Sequence, residues 1–550
     1  MPSSSRYDII FAGGGTTACV IAGRLAAADP DLRILIIESG PSTKDWIGLL
    51  NRTDVYMAHS SLTATNLNGR SPRVNNGSCV GGMMYNRAPA SDYDDWERLG
   101  NPGWGAADLI PLARKLETYQ IDGSESIHGS SGPIKVSYGF PRGREFADEW
   151  NDFATCDVLW DGVMLTIYYR YIDAETGRRS DTAHTYLYDQ SNNPNLHILS
   201  HAHVNRVLFE NGSKRAIGVE YQVGGKNSAM LTAYTSRLVV VSAGTFGSPA
   251  ILERSGIGGT DVMKKHGIPV VSDLPGVGNN YSDHCAAFLP YLTDQAMEKD
   301  DSTRSRSYLS YSDMDAGIKV RPNPQDLNEL PIFRDHRWPA FFESVPDKGV
   351  GVVFTLGRPM DSNLDPTNYQ VAYFLSYPVG TGTVHITGRK LISAHRGLFW
   401  INDNVVGRDE DLVLLRWFYK WSRELARRMD CYRGENIAEH PRFSETSEAR
   451  CGAREGPVAH SAPEFKYTEA DNEAIDQFHR EKALGSCAMK SREDSGVVDP
   501  RLNVYGTKNL KVADMSIAPL NVGANTYHTA LLVGEKAAII IAEELGISGV

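Results

Sequence analysis

The stretch Tyr7-Asp-Ile-Ile-Phe-Ala-Gly-Gly-Gly-Thr-Thr-Ala18 decides the fold of this 550-residue chain. Its apolar, β-branched start predicts a buried strand, and the glycine triplet predicts a tight turn. An amphipathic helix is predicted over Cys19-Val-Ile-Ala-Gly-Arg-Leu-Ala26. After the break at Asp29-Pro-Asp31, a second apolar run from Arg33 to Glu38 completes a β-α-β unit. Strand, Gly-x-Gly-x-x-Ala and helix, in this order, are typical of dinucleotide-binding domains.

The glycine-rich turn carries the candidate cofactor contacts. Gly13 and Gly15 let backbone amides approach a pyrophosphate at the helix N-terminus, where Thr16 and Thr17 follow directly. Glu38 lies about twenty residues beyond the motif and can accept hydrogen bonds from ribose hydroxyls. We therefore predict that these five residues hold the ADP half of a cofactor. The fingerprint alone does not distinguish NAD from FAD.

Composition excludes several classes of protein. A net charge of -11 and a pI near 5.8 disfavour nucleic acid and anionic membrane surfaces as partners. No apolar run approaches the roughly 18 residues that a membrane span needs. The seven cysteines are never in Cys-x-x-Cys spacing, which argues for a reducing compartment and against a structural metal. With no apolar signal-peptide core near the start, we expect a cytoplasmic protein. Oligomeric state is left open.

Two domains are predicted from the distribution of strand and helix patterns. The middle of the chain is rich in Pro, Asp and Arg, and it contains aromatic strand-like runs such as Tyr369 to Leu375 and Thr383 to Thr387. We predict an α/β chain with a discontinuous Rossmann-like nucleotide domain over residues 1–140, 185–290 and 482–550. A second, α+β substrate domain on an antiparallel sheet is predicted over residues 141–184 and 291–481.

A basic cluster is formed by Arg423, Arg427 and Arg428 on a predicted helix in this middle region. Glu424 lies in the same helical stretch, within reach of ion pairing with these cations. We therefore predict a solvated, salt-bridged helix face here, with no binding function.

Further segments resemble signatures of the glucose-methanol-choline (GMC) flavin oxidoreductases. Ala243 to Gly258 is similar to the second signature of this family, and Leu274 to His284 is similar to another of its blocks. Segments that resemble the fungal alcohol oxidase branch are Ala90–Trp96, Gly177–His184, Ala426–Asp430 and Asn521–Tyr527. The resemblance implies FAD as cofactor. It also implies oxidation of a small-molecule alcohol by hydride transfer to flavin N5, usually with dioxygen as the acceptor.

The resemblance also assigns individual residues. Val204 matches the family's valine whose backbone meets the adenine, and Asp514 matches the residue beside the ribityl-phosphate region. Asn525 matches the second member of the His-His or His-Asn pair above the flavin ring, where its amide could orient a substrate hydroxyl. Because Asn525 precedes a predicted helix, the side chain could also serve as its N-cap.

The sequence departs from the family at two flavin-facing motifs. Lys482 stands where the family has its first active-site histidine, and the segment before it is several residues shorter. In the first family signature, Val80-Gly-Gly82 runs straight into Met83 without the usual Gly-Gly-Ser-Ser-x-x-Asn stretch. Both losses affect the chemistry, because hydride transfer tolerates little misplacement.

Three bases and three functions follow from these departures. The candidate bases are Lys482, His479 and His528, which lies one helical turn past Asn525. The chain could oxidise an alcohol with one of them, or it could use FAD structurally in a lyase-type reaction. It could also be a catalytically impaired FAD-binding homologue. The intact nucleotide motif favours the first function.

Overall fold

The structure is a computed structural model. It describes residues 6–44, 83–121, 127–137, 163–167, 169–224, 228–293, 316–356, 368–388, 399–402, 408–454, 456–459, 461–480 and 495–550. Lys482 and residues 45–82, which include most of the first family signature, lie outside this set. Within it, strands form two main sheets, each with its own hydrophobic core.

The strands are numbered in chain order. They are β1 (Arg6–Ala12), β2 (Ile34–Ile37), β3 (Met84–Tyr85), β4 (Glu117–Tyr119), β5 (Ile134–Val136), β6 (Val163–Ile167), β7 (Tyr169–Arg170), β8 (Leu196–Leu199), β9 (Ala202–Phe209), β10 (Ala216–Val223), β11 (Met230–Val241), β12 (Ile257–Gly258), β13 (Ser272–Asp273), β14 (Ala286–Leu292), β15 (Ala316–Val320), β16 (Gly351–Leu356), β17 (Asn368–Leu375), β18 (Thr383–Ile386), β19 (Phe399–Asn402) and β20 (Leu510–Val512).

The helices are α1 (Thr16–Ala28), α2 (Ala90–Arg98), α3 (Ala106–Leu116), α4 (Gly244–Arg254), α5 (Thr260–Lys265), α6 (Pro324–Glu329), α7 (Asp409–Ala426), α8 (Glu469–Arg480) and α9 (Thr526–Leu545). Two π-helical segments lie at Ala183–Leu187 and Phe333–Phe342, and 3₁₀ turns lie at Tyr188–Gln190, Ile437–Glu439 and Met515–Ile517. No described helix is long and apolar enough to cross a bilayer.

The first sheet confirms the predicted Rossmann-like unit. Its order is β8-β2-β1-β11-β10-β9, and β20 adds to the second half of β11. β8, β2, β1, β11 and β20 run parallel, whereas β10 is antiparallel to both of its neighbours. The end of β1, from Ile9 to Ala12, is fully buried, as expected for a parallel strand covered on both faces.

Helices α1 and α9 pack closely beside this sheet, so the two ends of the chain share one domain. Gly534 permits the approach, because a Cβ there would lie 2.7 Å from the Cβ of Val20. The hydroxyl of Thr17 donates to the carbonyl of Ala530 at 3.1 Å, which fixes the register of the two helices. The start of α9 is thereby held close to the glycine turn.

The second sheet is antiparallel, as predicted for the substrate domain, with the order β14-β17-β16-β15-β6. Residues of β17 alternate between two apolar clusters. Tyr373 and Leu375 face a core that includes residues of α7 and α8. Ala372 and Phe374 face the opposite side, where Met84 of β3 packs on them. β17 therefore separates a helix-covered face from the face that meets the first family signature.

The basic cluster on α7 corrects one prediction from sequence. The arginines predicted to be solvated are nearly fully buried, and they are Arg423, Arg427 and Arg428. The predicted ion pairing is present: Arg423 donates to Glu435 at 3.0 Å, and Glu424 pairs with the other two. Phe465 covers the guanidinium groups from a later segment, a contact that the local sequence of α7 does not reveal.

Candidate active site

The glycine turn between β1 and α1 is shaped for close approach. Gly13 has a φ of +109°, and a Cβ there would lie 2.4 Å from the carbonyl oxygen of Ser242, so only glycine fits. Gly15 is the N-cap of α1, and its position has no side-chain cap. The helix therefore starts with its N–H groups and positive dipole end directed at the space where a pyrophosphate binds.

Glu38 follows β2 and faces the same turn. One carboxylate oxygen accepts the N–H of Gly14 at 2.7 Å, and the other accepts the N–H of Gly40 at 2.7 Å. A carboxylate has about four acceptor positions, which leaves capacity for ribose hydroxyls. The carbonyl of Glu38 accepts the N–H of Ala202, and β9 then leads to the buried Val204 two residues later. The structure thus places Val204 two residues beyond the contact between Ala202 and Glu38.

The hydroxyl of Thr17 is directed to α9, as described above, so Thr17 can offer a phosphate only its backbone N–H. Thr16 is the first residue of α1 and is partly exposed beside the turn. Both positions are consistent with backbone recognition of a phosphate at a helix start.

Asp514 connects the glycine turn to the start of α4. Its carboxylate accepts the N–H of Gly244 at 2.9 Å and the N–H of Ser516 at 2.8 Å. The preceding residue, Ala513, accepts a hydrogen bond from the hydroxyl of Ser242 at 2.6 Å, and Ser242 is the residue that Gly13 approaches. Residues near 13, 243 and 514 therefore form one continuous cradle. Its bare helix start, its ribose acceptor and its missing Cβ atoms fit the ADP half of FAD.

Asn525 and His528 lie at the start of α9. Asn525 occupies the N-cap position, yet its side chain makes no capping hydrogen bond, and its Oδ1 has no hydrogen-bond partner among the described residues. Both ring nitrogens of the buried His528 are likewise unpartnered within the described part of the chain. At a spacing of three residues the two side chains share one helix face. These polar atoms can hydrogen-bond to a substrate hydroxyl.

The environment of His528 keeps its ring neutral. Burial lowers the pKa of His528 to about 3, and the nearby charge of Arg87 adds to this effect, while the carboxylate of Glu117 opposes it. The ring packs edge-on against Tyr85, with centroids 5.8 Å apart. A neutral imidazole has one free acceptor nitrogen, which can receive a hydrogen bond from an alcohol.

A buried ionic cluster stands beside His528. Glu117 accepts the hydroxyl of Tyr85 at 2.8 Å and the ring of His128 at 2.9 Å, and it pairs with Arg87. Burial alone would raise the pKa of Glu117, but His128 and the Arg87 charge outweigh it and hold this pKa below its usual value. Glu117 therefore remains a carboxylate that can stabilise positive charge on His528.

Met83 is the first described residue after the undescribed part of the first family signature. Met83 adopts a left-handed φ of +59°, which a non-glycine residue rarely does, and its carbonyl accepts the N–H of Tyr171 at 2.9 Å. Met84 then turns onto the apolar face of β17. The sequence lacks several family residues just before Met83. The backbone of Met83, where the described chain resumes, is strained and lies beside the candidate site.

The other two candidate bases are placed differently. His479 lies on α8, and its Nε2 is 2.6 Å from the hydroxyl of Tyr373, on the helix-covered face of β17. Because Met84 packs on the opposite face of that strand, the structure does not bring His479 to Asn525 and His528. Lys482 lies outside the described residues.

Sequence reasoning missed several residues of this region. Glu117 and His128 belong to no motif, so no local signal could have identified them. Asp92 and His284 do lie inside segments that resemble the family, at Ala90–Trp96 and Leu274–His284, but no role was assigned to them. Their importance depends on contacts between distant segments, which are described below.

Comparisons with known proteins agree with this geometry. The family models described as GMC oxidoreductase match residues 7–150 and 163–286 and residues 378–534. The chain is a GMC oxidoreductase. An alcohol oxidase from Candida boidinii is 34% identical, with 100% of this chain and 96% of that protein covered. The predicted family, FAD cofactor and enzyme class are thereby confirmed: this is an FAD-dependent oxidoreductase that acts on CH–OH groups.

Solved structures agree on the fold of this GMC oxidoreductase. An FAD-dependent oxidoreductase from Chaetomium thermophilum superimposes with a TM-score of 0.73 at 24% identity, covering 99% of this chain and 100% of that one. A variant of formate oxidase from Aspergillus oryzae gives 0.76 at 21% identity, with 99% of each chain covered. The Rossmann-like domain and the mixed substrate domain of this chain are shared with both.

Proposed function

We propose that this GMC oxidoreductase oxidises a small-molecule alcohol to an aldehyde or ketone and passes the electrons to dioxygen. The observation that carries the proposal is the pair Asn525 and His528, two side chains with unsatisfied polar atoms on one face of α9. The activity in the name of the Candida boidinii relative supports the same reaction. A cytoplasmic location is part of the same proposal, because the cysteines of the chain are never in Cys-x-x-Cys spacing.

The residues act in complementary roles. Bound FAD supplies the acceptor for the hydride that leaves the alcohol carbon. The amide of Asn525 orients the substrate hydroxyl, and the neutral ring of His528 accepts the hydroxyl proton. Burial makes His528 a weak base, so the nearby Glu117 carboxylate is needed to stabilise the imidazolium. Lys482 is the rival base, and the geometry ranks His479 below His528.

The substrate is proposed to be an alcohol with a small apolar substituent. Apolar side chains predominate on the face of the second sheet that packs on Met84, and they are Val352, Phe354, Leu356, Ala372 and Phe374. The strand register also places Gln370 and Lys319 on this face, and the Lys319 ammonium donates to the carbonyl of Arg87. Such a surface offers few hydrogen bonds to a polyol, whose buried hydroxyls would then lack partners. Short primary alcohols and aryl alcohols should therefore be oxidised in preference to sugars.

The test is anaerobic reduction of the purified yellow protein by a panel of alcohols. Loss of the visible flavin absorbance on mixing shows hydride transfer, and readmission of oxygen should restore the colour with one hydrogen peroxide per flavin. An intact yellow spectrum that never bleaches with any alcohol would overturn the proposal. Bleaching that oxygen does not reverse would remove only the dioxygen step.

Four variants then decide the base. His528→Gln and Asn525→Ala should each slow bleaching by about 100-fold, the usual contribution of a positioned acid-base or orienting group. His479→Gln is the matched control, because it also removes a buried histidine but one on the other side of β17. Slow flavin reduction in His479→Gln would assign the base to His479. Slow reduction in Lys482→Ala, together with a normal rate in His528→Gln, would assign it to Lys482.

A further inference from the structure

Asp92 on α2 is a buried carboxylate that none of the steps above uses. One of its oxygens accepts the backbone N–H of Gly523 at 2.7 Å, and the other accepts the hydroxyl of Tyr377 at 2.8 Å. Lys348 lies 3.6 Å away and is as deeply buried. Asp92 thus joins α2, the segment after β17 and the turn that precedes α9. We name residues 520–524 the lead-in turn.

Contact between the lead-in turn and the substrate domain is very close. A Cβ at Gly523 would lie 2.3 Å from the hydroxyl oxygen of Tyr377, so no larger residue fits while Tyr377 stays on Asp92. The turn is also held at its start, where the indole N–H of Trp96, also on α2, donates to the carbonyl of Leu520 at 3.2 Å. One helix therefore fixes the turn at two points.

His284 contacts the last residue of the lead-in turn. Its Nε2 is 3.0 Å from the carbonyl of Ala524, and its Nδ1 is 2.8 Å from the carbonyl of Leu375 at the end of β17. Ala524 directly precedes Asn525. The backbone before Asn525 is consequently fixed by contacts from α2 and from the substrate-domain sheet.

Asn525 needs such external support because it lacks the usual local support. An N-cap side chain normally fixes its own rotamer by bonding to the first turn of the helix, and Asn525 makes no such bond. The direction of its amide is therefore set by the backbone of the lead-in turn. We propose that Asp92 is a positioning residue for Asn525, acting through the Gly523 N–H to aim the amide at the alcohol. This inference rests on the function proposed above.

The test compares Asp92→Ala with Asp92→Asn by anaerobic flavin reduction at saturating alcohol. Loss of the acceptor for Gly523 should slow reduction by at least about tenfold, since small misplacements at a reacting centre are costly. Asparagine keeps an oxygen for Gly523 and can donate to Tyr377, so it should restore the rate to within about threefold. Bound flavin per protein should stay unchanged in both.

Two controls separate positioning from general stability. Asp411→Ala removes another fully buried carboxylate, which accepts the N–H groups of Val379 and Gly380 and has no contact with the lead-in turn. It should lower Tm and leave the reduction rate unchanged. In addition, Asp92→Ala combined with Asn525→Ala should be no slower than Asn525→Ala alone, because Asp92 acts through Asn525. Multiplicative effects of the two substitutions would overturn the inference.

A readout independent of redox chemistry keeps this inference separate from the proposed function. Amide hydrogen exchange of residues 520–527 should be faster in Asp92→Ala than in the wild-type protein and unchanged in Asp411→Ala. Unchanged exchange in Asp92→Ala would overturn the inference whether or not alcohols bleach the flavin. Should the alanine variant fail to fold, Asp92→Ser takes its place in the same comparisons.

Discussion

At the scale of single residues, the site combines neutral and charged groups at nearly the same depth. His528 is buried and neutral, whereas Glu117 is buried and ionised because His128 hydrogen-bonds to it and the Arg87 charge compensates its own. Burial alone would neutralise both groups, so the difference between them comes from their neighbours. Each group therefore makes its own contribution to how stability varies with pH.

For His528 the pH dependence has a definite sign. The pKa of His528 is about 3 in the folded protein, below the ordinary 6.5. Between these pH values the ring is protonated in the unfolded chain and neutral in the folded one. Stability contributed by neutral His528 is complete above pH 6.5 and is lost as the pH falls towards 3. Between pH 7.5 and 5, the free energy of unfolding should therefore fall by about 2 kcal/mol less in His528→Gln than in the wild-type protein.

Denaturant unfolding at the two pH values measures this difference directly. His336→Gln, which replaces an exposed histidine, is the control for the His-to-Gln substitution itself. Equal losses in His528→Gln and the wild-type protein would show that the ring is protonated, or hydrated, in the folded state.

At the scale of elements, the turn from β1 to α1 depends on one missing side chain. Gly13→Ala would place a methyl group 2.4 Å from the carbonyl of Ser242 and force a side chain into a positive φ. Displacement of that carbonyl should spread to Asp514, which the same segment supports. We expect purified Gly13→Ala protein to contain less than about a tenth of the flavin of the wild-type protein.

Gly212→Ala is the control that separates the effect of backbone strain at a positive φ from the effect of a steric clash with a neighbouring atom. Gly212 also has a positive φ, of +70°, but a Cβ there would meet nothing within 4 Å. The ratio of flavin to protein absorbance should stay at the wild-type value in this control. A Gly13→Ala variant that retains its flavin would mean that the turn is not where the pyrophosphate lies.

Elements with a local signal were predictable from sequence. The β-α-β unit, β17 and α9 all show their periodicity within a few residues, and the structure confirms them. The site itself was only partly predictable. Asn525 and Glu38 sit in motifs, whereas Glu117 belongs to no motif and pairs with Tyr85, 32 residues away, and Asp92 acts through Gly523, 431 residues away. The burial of Arg423 was missed for the same reason, since Glu435 and Phe465 come later in the chain.

At the scale of the whole molecule, the cradle for FAD joins segments from both ends and the middle of the chain. Residues near 13, 243 and 514 meet at one place, so a ligand bound there stabilises contacts that no single segment provides. Binding to the folded state alone adds about 2.7 kcal/mol of stability when free ligand is 100 times Kd.

Removal of FAD should therefore lower the Tm of the whole domain. Thermal unfolding of the apoprotein should shift upwards with each increase in added FAD, without a change in the Gly13→Ala variant. ADP should reproduce part of the shift, because the described cradle fits the ADP half. A Tm that is independent of FAD would place the cofactor outside this cradle.

The central strand β11 also determines when the first sheet can finish folding during synthesis. It pairs in parallel with β1, more than two hundred residues earlier, and with β20, which follows at an even greater distance along the chain. During synthesis β1 emerges long before β11, and β11 emerges long before β20, and pairings of such long range form slowly. The glycine turn, translated first, can reach its final shape only when the last tenth of the polypeptide has left the ribosome.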